Sequence, residues 1–143
     1  MFASRARLLV AALWAGSLWT IGYVVAPTLF LSLHDNAQAG TIVGMLLKTE
    51  AWLAMACAVI LYGLLKFSDI EPARKRSLAM IITAMLACAL VIYLGLQPVM
   101  AQIREAAGPA GLKGTNFGLL HGVSQLFYLA ESVLAGLLLV KLR

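Results

Sequence analysis

The chain has 143 residues, 62% of them hydrophobic and 12% charged, with a net charge of +5 and a mean hydropathy of +0.93. A soluble domain keeps about a quarter of its residues charged, so this chain lacks the charge to cover a water-facing surface and needs lipid around it. Its length suits one domain, and its basic residues flank apolar segments instead of forming the basic face of a nucleic-acid-binding module.

A spanning helix needs about 20 largely apolar residues, and four segments supply them. The first covers residues 8–33, behind Arg5 and Arg7. Ala37-Gln38-Ala39 has the form of a signal cleavage site, but the apolar run is much longer than a signal's core of about 7–15 residues, so an uncleaved helix is expected. Gly16, Thr20, Tyr23 and Pro27 share one helical face. Small residues let helix backbones approach in lipid, so this face predicts a packing seam. Pro27 removes a backbone donor and predicts a kink. His34 ends the span.

After the connection HDNAQAG, the second span covers residues 41–65. It begins beside a GxxxG pair, Gly40 and Gly44, which reads either as a dimerisation face or as close packing within the bundle. It also carries Lys48 and Glu50. Two residues apart, these point to opposite sides and cannot pair within the helix. Glu50 falls near the span's midplane, where a charge costs at least about 2.5–3.5 kcal/mol. Each therefore needs a partner elsewhere, a water-filled cavity or neutralisation, and Lys48 can instead snorkel outward or lie against Trp52.

The connection KFSDIEPARKRS leads to the third span, residues 78–99. Cys57 and Cys88 each stand alone in an apolar run, without a CxxC or a zinc-spaced histidine. They read as small buried hydrophobes, against the alternative of a redox pair. Trp14 and Tyr93 fall toward span ends, where aromatic belts form.

The last connection, MAQIREAAGPAGLKGTN, precedes the fourth span, residues 117–140. Its opening FGLLHGVSQLF contains a second pair, Gly118 and Gly122, and is unusually polar. At 100° per residue His121, Ser124, Gln125, Tyr128 and Ser132 form one stripe with Glu131 at its edge. Such a stripe faces the bundle interior, as interhelical hydrogen bonds or as a polar pocket. Lys48, Glu50, His121, Gln125 and Glu131 form the candidate intramembrane site. In an up-down-up-down bundle the first and fourth helices are neighbours, which makes His34 and His121, with Asp35 and Asn116, a candidate outer-face site. Two imidazoles supply half of a zinc set or both axial ligands of a haem. The alternative is two unrelated histidines.

Lys and Arg crowd the N-terminus, the second connection and the C-terminus, against only Arg104 and Lys113 on the other side. The positive-inside rule therefore places both termini in the cytoplasm. The expected architecture is an all-α, four-helix membrane bundle in the bacterial inner membrane.

The runs LWAGSLWTIGYVVAPTLF, AGTIVG and FGLLHGVS resemble an uncharacterised bacterial membrane family whose eukaryotic relative is transmembrane protein 205. The resemblance rests on Trp14 and Gly16, Pro27 with Phe30, Ala39 with Gly40, and Phe117, Leu120 and His121, and it covers nearly the whole chain. It implies a four-helix integral membrane domain without established activity. The eukaryotic member has been linked to platinum-drug resistance, which implies metal or drug handling. The chain is also similar to the copper-resistance D group of membrane proteins, which share a Trp-x-Gly entry and membrane histidines. Glu50 and Glu131 match no family motif.

The sequence holds no HExxH, no GxSxG and no nucleophile beside a base, so no enzyme is expected. The first functional reading is a non-enzymatic accessory protein that acts by interaction with other membrane proteins or with itself. The alternative is a small transporter, or a metal- or haem-handling protein with haem or copper as ligand, that uses the buried polar groups.

Overall fold

A computed structural model describes residues 2–108 and 114–143. Lys113, counted in the charge asymmetry, lies outside them. Four helices are long and apolar enough to cross a membrane: Ala3–Ser32, Asn36–Lys66, Pro72–Ala107 and Phe117–Leu142. The first comprises α1 (Phe2–Thr20), a π-helical turn (Ile21–Val25) and α2 (Ala26–Ser32). The second is α3 (Asn36–Lys66). The third comprises α4 (Pro72–Leu90), a π-helical turn (Val91–Leu96) and α5 (Gln97–Ala107), and the fourth is α6 (Phe117–Leu142). No strand occurs among the described residues.

The helices outrun the apolar segments, and local chemistry accounts for three of the extensions. Asp35 accepts a hydrogen bond from the Ala37 amide at 2.8 Å, a cap that starts α3 within the polar stretch. Pro72 opens α4, where its fixed φ suits a first turn and its missing N–H costs nothing. Most of the second connection's basic cluster is thereby helical. The third span does not end at residue 99 but continues past Pro98 as α5, which buries Met100, turns Gln102 and Glu105 outward and keeps Gln97 and Arg104 half-buried.

Both π turns precede a proline. Ala26 donates its amide to the Ile21 carbonyl, and Gln97 to that of Ile92, each five residues back. Pro27 and Pro98 have no amide to give the carbonyls four residues behind them, and the wider turn accommodates that loss. The break expected at Pro27 thus takes the form of a π turn, and the third span repeats it.

The spans run up-down-up-down, α1 beside α3 and α6, and α4 beside α3 and α6. One end of the bundle carries both termini. There Arg74 Nη2 donates to the Lys141 carbonyl at 2.6 Å, and Lys141 Nζ donates to Ser77 Oγ at 2.7 Å. The other end carries the first and third connections. The core is built from Trp14, Leu18, Leu61, Leu78, Ile82 and Met85, while residues such as Leu9, Leu31, Val59 and Val140 project outward.

Three details differ from the sequence reading. Trp14 lies in the core, fully buried, and not toward a span end. The inward face of α1 runs through Ala11, Trp14, Ala15 and Leu18, whereas Thr20 and Pro27 are exposed and a Cβ on Gly16 would meet open space. A Cβ on Gly118 or Gly122 would likewise touch nothing, while Gly40 and Gly44 face Arg104 and Gln97. Among the described glycines the closest contact is at Gly22, which lies directly against the Tyr128 ring.

Candidate functional site

The polar stripe of α6 points inward, but its centre is shifted from the expected one. Ser124, Tyr128, Glu131 and Ser132 are buried, whereas His121 and Gln125 lie at the rim. Glu131, expected at the edge, is among the most buried side chains, 1% exposed. The stripe is tied to α1 and the π turn behind it. The Tyr128 hydroxyl donates to the Leu18 carbonyl at 2.6 Å, Tyr23 donates to Ser132 Oγ at 2.9 Å, and Trp19 Nε1 donates to the Ser132 carbonyl at 3.3 Å.

Glu50 and Glu131 each lie fourteen residues into their helix, about 21 Å at 1.5 Å per residue. At this common depth they line one cavity of about 10 Å³, with Tyr128 and Ile92 of the second π turn. Glu50 is 4% exposed and accepts a hydrogen bond from Ser17 Oγ at 3.2 Å. Its Oε2 has no hydrogen-bond partner among the described residues, nor does Glu131 Oε1. The Trp14 indole lies beside Glu131 but its N–H completes no hydrogen bond. Neither carboxylate has a cationic partner among the described residues. Buried polar groups are normally satisfied, so the unpaired atoms on Trp14, Glu50 and Glu131 single out this cavity as the candidate site.

Two further cavities lie between this pair and the end with the first and third connections. The nearer holds about 40 Å³ and shares Leu47 and Tyr128 with the carboxyl cavity. The outer vestibule holds about 190 Å³ and shares Ala26, Val43, Leu47, Ser124 and Gln125 with the middle one. All four spans line the vestibule, which adds Gln97, Arg104 and His121. The three cavities follow one another in depth, and the π turns contribute Ile21 and Gly22 to the middle one and Ile92 to the inner one. π-Helical turns are rare and concentrate at functional sites.

Of the candidate intramembrane residues, the structure joins Glu50 with Glu131 at the inner cavity and His121 with Gln125 at the vestibule. Lys48 stands apart, exposed, in a lateral groove. His121 stacks on Phe117, ring centroids 6.0 Å apart. His34 is exposed at the end of the first span and is not among the vestibule's lining residues. No group of three metal-ligating side chains occurs among the described residues, and Cys57 and Cys88 are free thiols. The sequence reading missed Trp14, Ser17 and Arg104 as site residues. The first two look like ordinary constituents of an apolar helix, and in the sequence Arg104 stands as a topological charge.

No match to a curated protein or to a solved structure emerges. A family profile, Domain of unknown function (DUF4149), matches residues 9–109. That stretch takes in the first three spans nearly whole, both π turns and Glu50. By that match over more than half its length, the chain belongs to the uncharacterised DUF4149 family.

Proposed function

We propose that this protein is a non-enzymatic, multi-pass protein of the bacterial inner membrane that binds a proton or a small cation between Glu50 and Glu131. Exchange with the medium runs through the vestibule. The observation that carries this reading is the pair itself: two nearly inaccessible carboxyls, each with an unpartnered oxygen, lining one cavity. Its volume of about 10 Å³ matches a single water-sized occupant. An intramembrane carboxyl without a partner is costly, and a proton or a cation removes that cost. The accessory role needs only packed helices and gives these oxygens no task, so the transporter alternative is the better supported. A soft-metal or haem site has no comparable ligand set behind it. Kinship with transmembrane protein 205 belongs to the same proposal, resting on the motif residues from Trp14 to His121, and brings no activity with it.

The test is flux. In proteoliposomes with a trapped pH dye and an imposed potential, the wild type acidifies the lumen faster than empty vesicles, or responds to a sodium gradient in a parallel sodium-dye assay. Glu50→Gln and Glu131→Gln each reduce either flux to background while remaining folded. Unchanged flux in both variants sinks the proposal.

The Lys and Arg distribution supports cytoplasmic termini, which puts the vestibule on the outer side. A fluorescent reporter that matures only in the cytoplasm is expected to glow when fused after Arg143. A full-length but dark fusion reverses the orientation.

A further inference from the structure

A second feature stands apart from the carboxyl pair. Between α3 and the second half of the third span runs a lateral groove of about 300 Å³. Its polar lining is Thr41, Lys48, Tyr93, Gln97 and Arg104, and no acidic side chain is among its lining residues. Apolar Met45, Pro98 and Ala101 complete the walls.

Both cations lack a counter-charge among the described residues. Arg104 is held by contacts that leave its N–H groups unspent. Its guanidinium lies 5.5 Å from the Phe117 ring centroid and directly over Gly40, where a Cβ would come within 3.1 Å of Nη2. The Gln97 amide and the Tyr93 hydroxyl also have no hydrogen-bond partner among the described residues. Lys48 lies seven residues beyond Thr41, where the apolar stretch begins, about 10 Å into it, and is exposed. A lysine there either snorkels toward the end of the bundle or calls for a counter-charge.

Helical side chains lean toward the N-terminus of their helix. α3 starts at the end with the first connection, so Lys48 leans toward that end. α5 runs the other way, so Arg104 leans inward. The two cations therefore converge within one groove that has an apolar flank and no acid. We propose that this groove binds the oxyanion head of an acidic amphiphile, phosphate or carboxylate, with Arg104 as the donor fork and Lys48 as the second charge. A guanidinium fork matches that geometry, and the bound anion gives Lys48 a counter-charge. Glu50 and Glu131 lie outside the groove, and although Gly44, Gln97 and Arg104 also line the vestibule, Lys48 does not, so the Lys48 variants separate this inference from the flux reading.

The test titrates the full-length protein in neutral detergent with dioleoyl phosphatidic acid, and separately with inorganic phosphate, following the thermal midpoint. Saturable stabilisation by the lipid is expected, weakened at least about tenfold in Lys48→Gln and in Arg104→Gln, as loss of a charge-assisted hydrogen bond implies. Phosphatidylcholine is expected not to compete. If inorganic phosphate binds and competes, the oxyanion site is upheld with a soluble source. If only the lipid binds, the source is the bilayer. Lys48→Glu gives Arg104 an internal carboxylate, so it should raise the lipid-free midpoint and abolish the response to phosphatidic acid. Should Arg104→Gln fail to fold, the two variants at exposed Lys48 carry the test. Equal lipid response in the wild type and the Lys48 variants, or no response in any of them, overturns the proposal.

Discussion

Gly22→Val is expected to be the most damaging single substitution in the first span. A Cβ at this position overlaps Tyr128 Cε1 and comes within 2.7 Å of Cζ and 2.8 Å of the hydroxyl. The ring cannot swing away cheaply, because its hydroxyl is bonded to the Leu18 carbonyl at 2.6 Å and the side chain is only 7% exposed. Overpacking of this kind costs about 1–3 kcal/mol, and breaking the buried hydrogen bond adds about 0.5–1.5 kcal/mol. The control lies in the same span: Gly16 has open space where a Cβ would sit, so Gly16→Val should be close to neutral. Thermal unfolding in detergent, followed by tryptophan fluorescence, distinguishes them. Equal midpoints would contradict the close packing of Gly22 on Tyr128.

Glu131→Met is expected to act in the opposite direction on stability while abolishing cation or proton flux. The side chain is 1% exposed and one carboxyl oxygen has no partner. A buried polar atom left unsatisfied costs about 1–3 kcal/mol, and an apolar replacement of similar length removes that cost. The variant should therefore melt later than the wild type by a comparable margin. A large loss of stability would instead mean that the carboxyl is held by an interaction the bundle depends on. Stability gained together with flux lost would show that the membrane interior carries this carboxyl for its function.

The four spans were legible because lipid imposes a simple demand on length and polarity, and residues 117–140 met it as plainly as α6 does. The face each helix turns inward was harder to read. α1 is apolar on nearly all sides, so its sequence does not distinguish the stripe of Trp14 and Leu18 from that of Gly16 and Thr20, and only the packing of α3 and α6 against it decides. α6 was more readable, since polar side chains mark an inward face whatever their purpose. Even so, Glu131 was placed at the stripe's edge and not near its centre. The meeting of Glu50 with Glu131 was invisible in the chain, because 81 positions separate them and no motif links the two spans. The place of Arg104 in the site is hidden for a related reason. A basic residue between two spans is ordinarily a topology marker, and nothing in the sequence places it above Gly40 and against Phe117.

The two π turns have a consequence for how each span is indexed. An α-helix that accommodates one surplus residue carries everything beyond it round by about 100° relative to an unbroken ladder. Counted from Trp14 and Leu18, an uninterrupted α period brings residues 25 and 29 to the interior. The vestibule is lined instead by Ala26, Pro27 and Phe30. The third span behaves the same way. Ile92 continues the inward row of Ile82, Met85 and Ala89, and beyond the turn Gln97, Met100 and Arg104 take over. The inner and outer halves of these spans are therefore phased independently. One surplus residue in each is what lets a continuous helix present core to its partners at one depth and a polar vestibule at another.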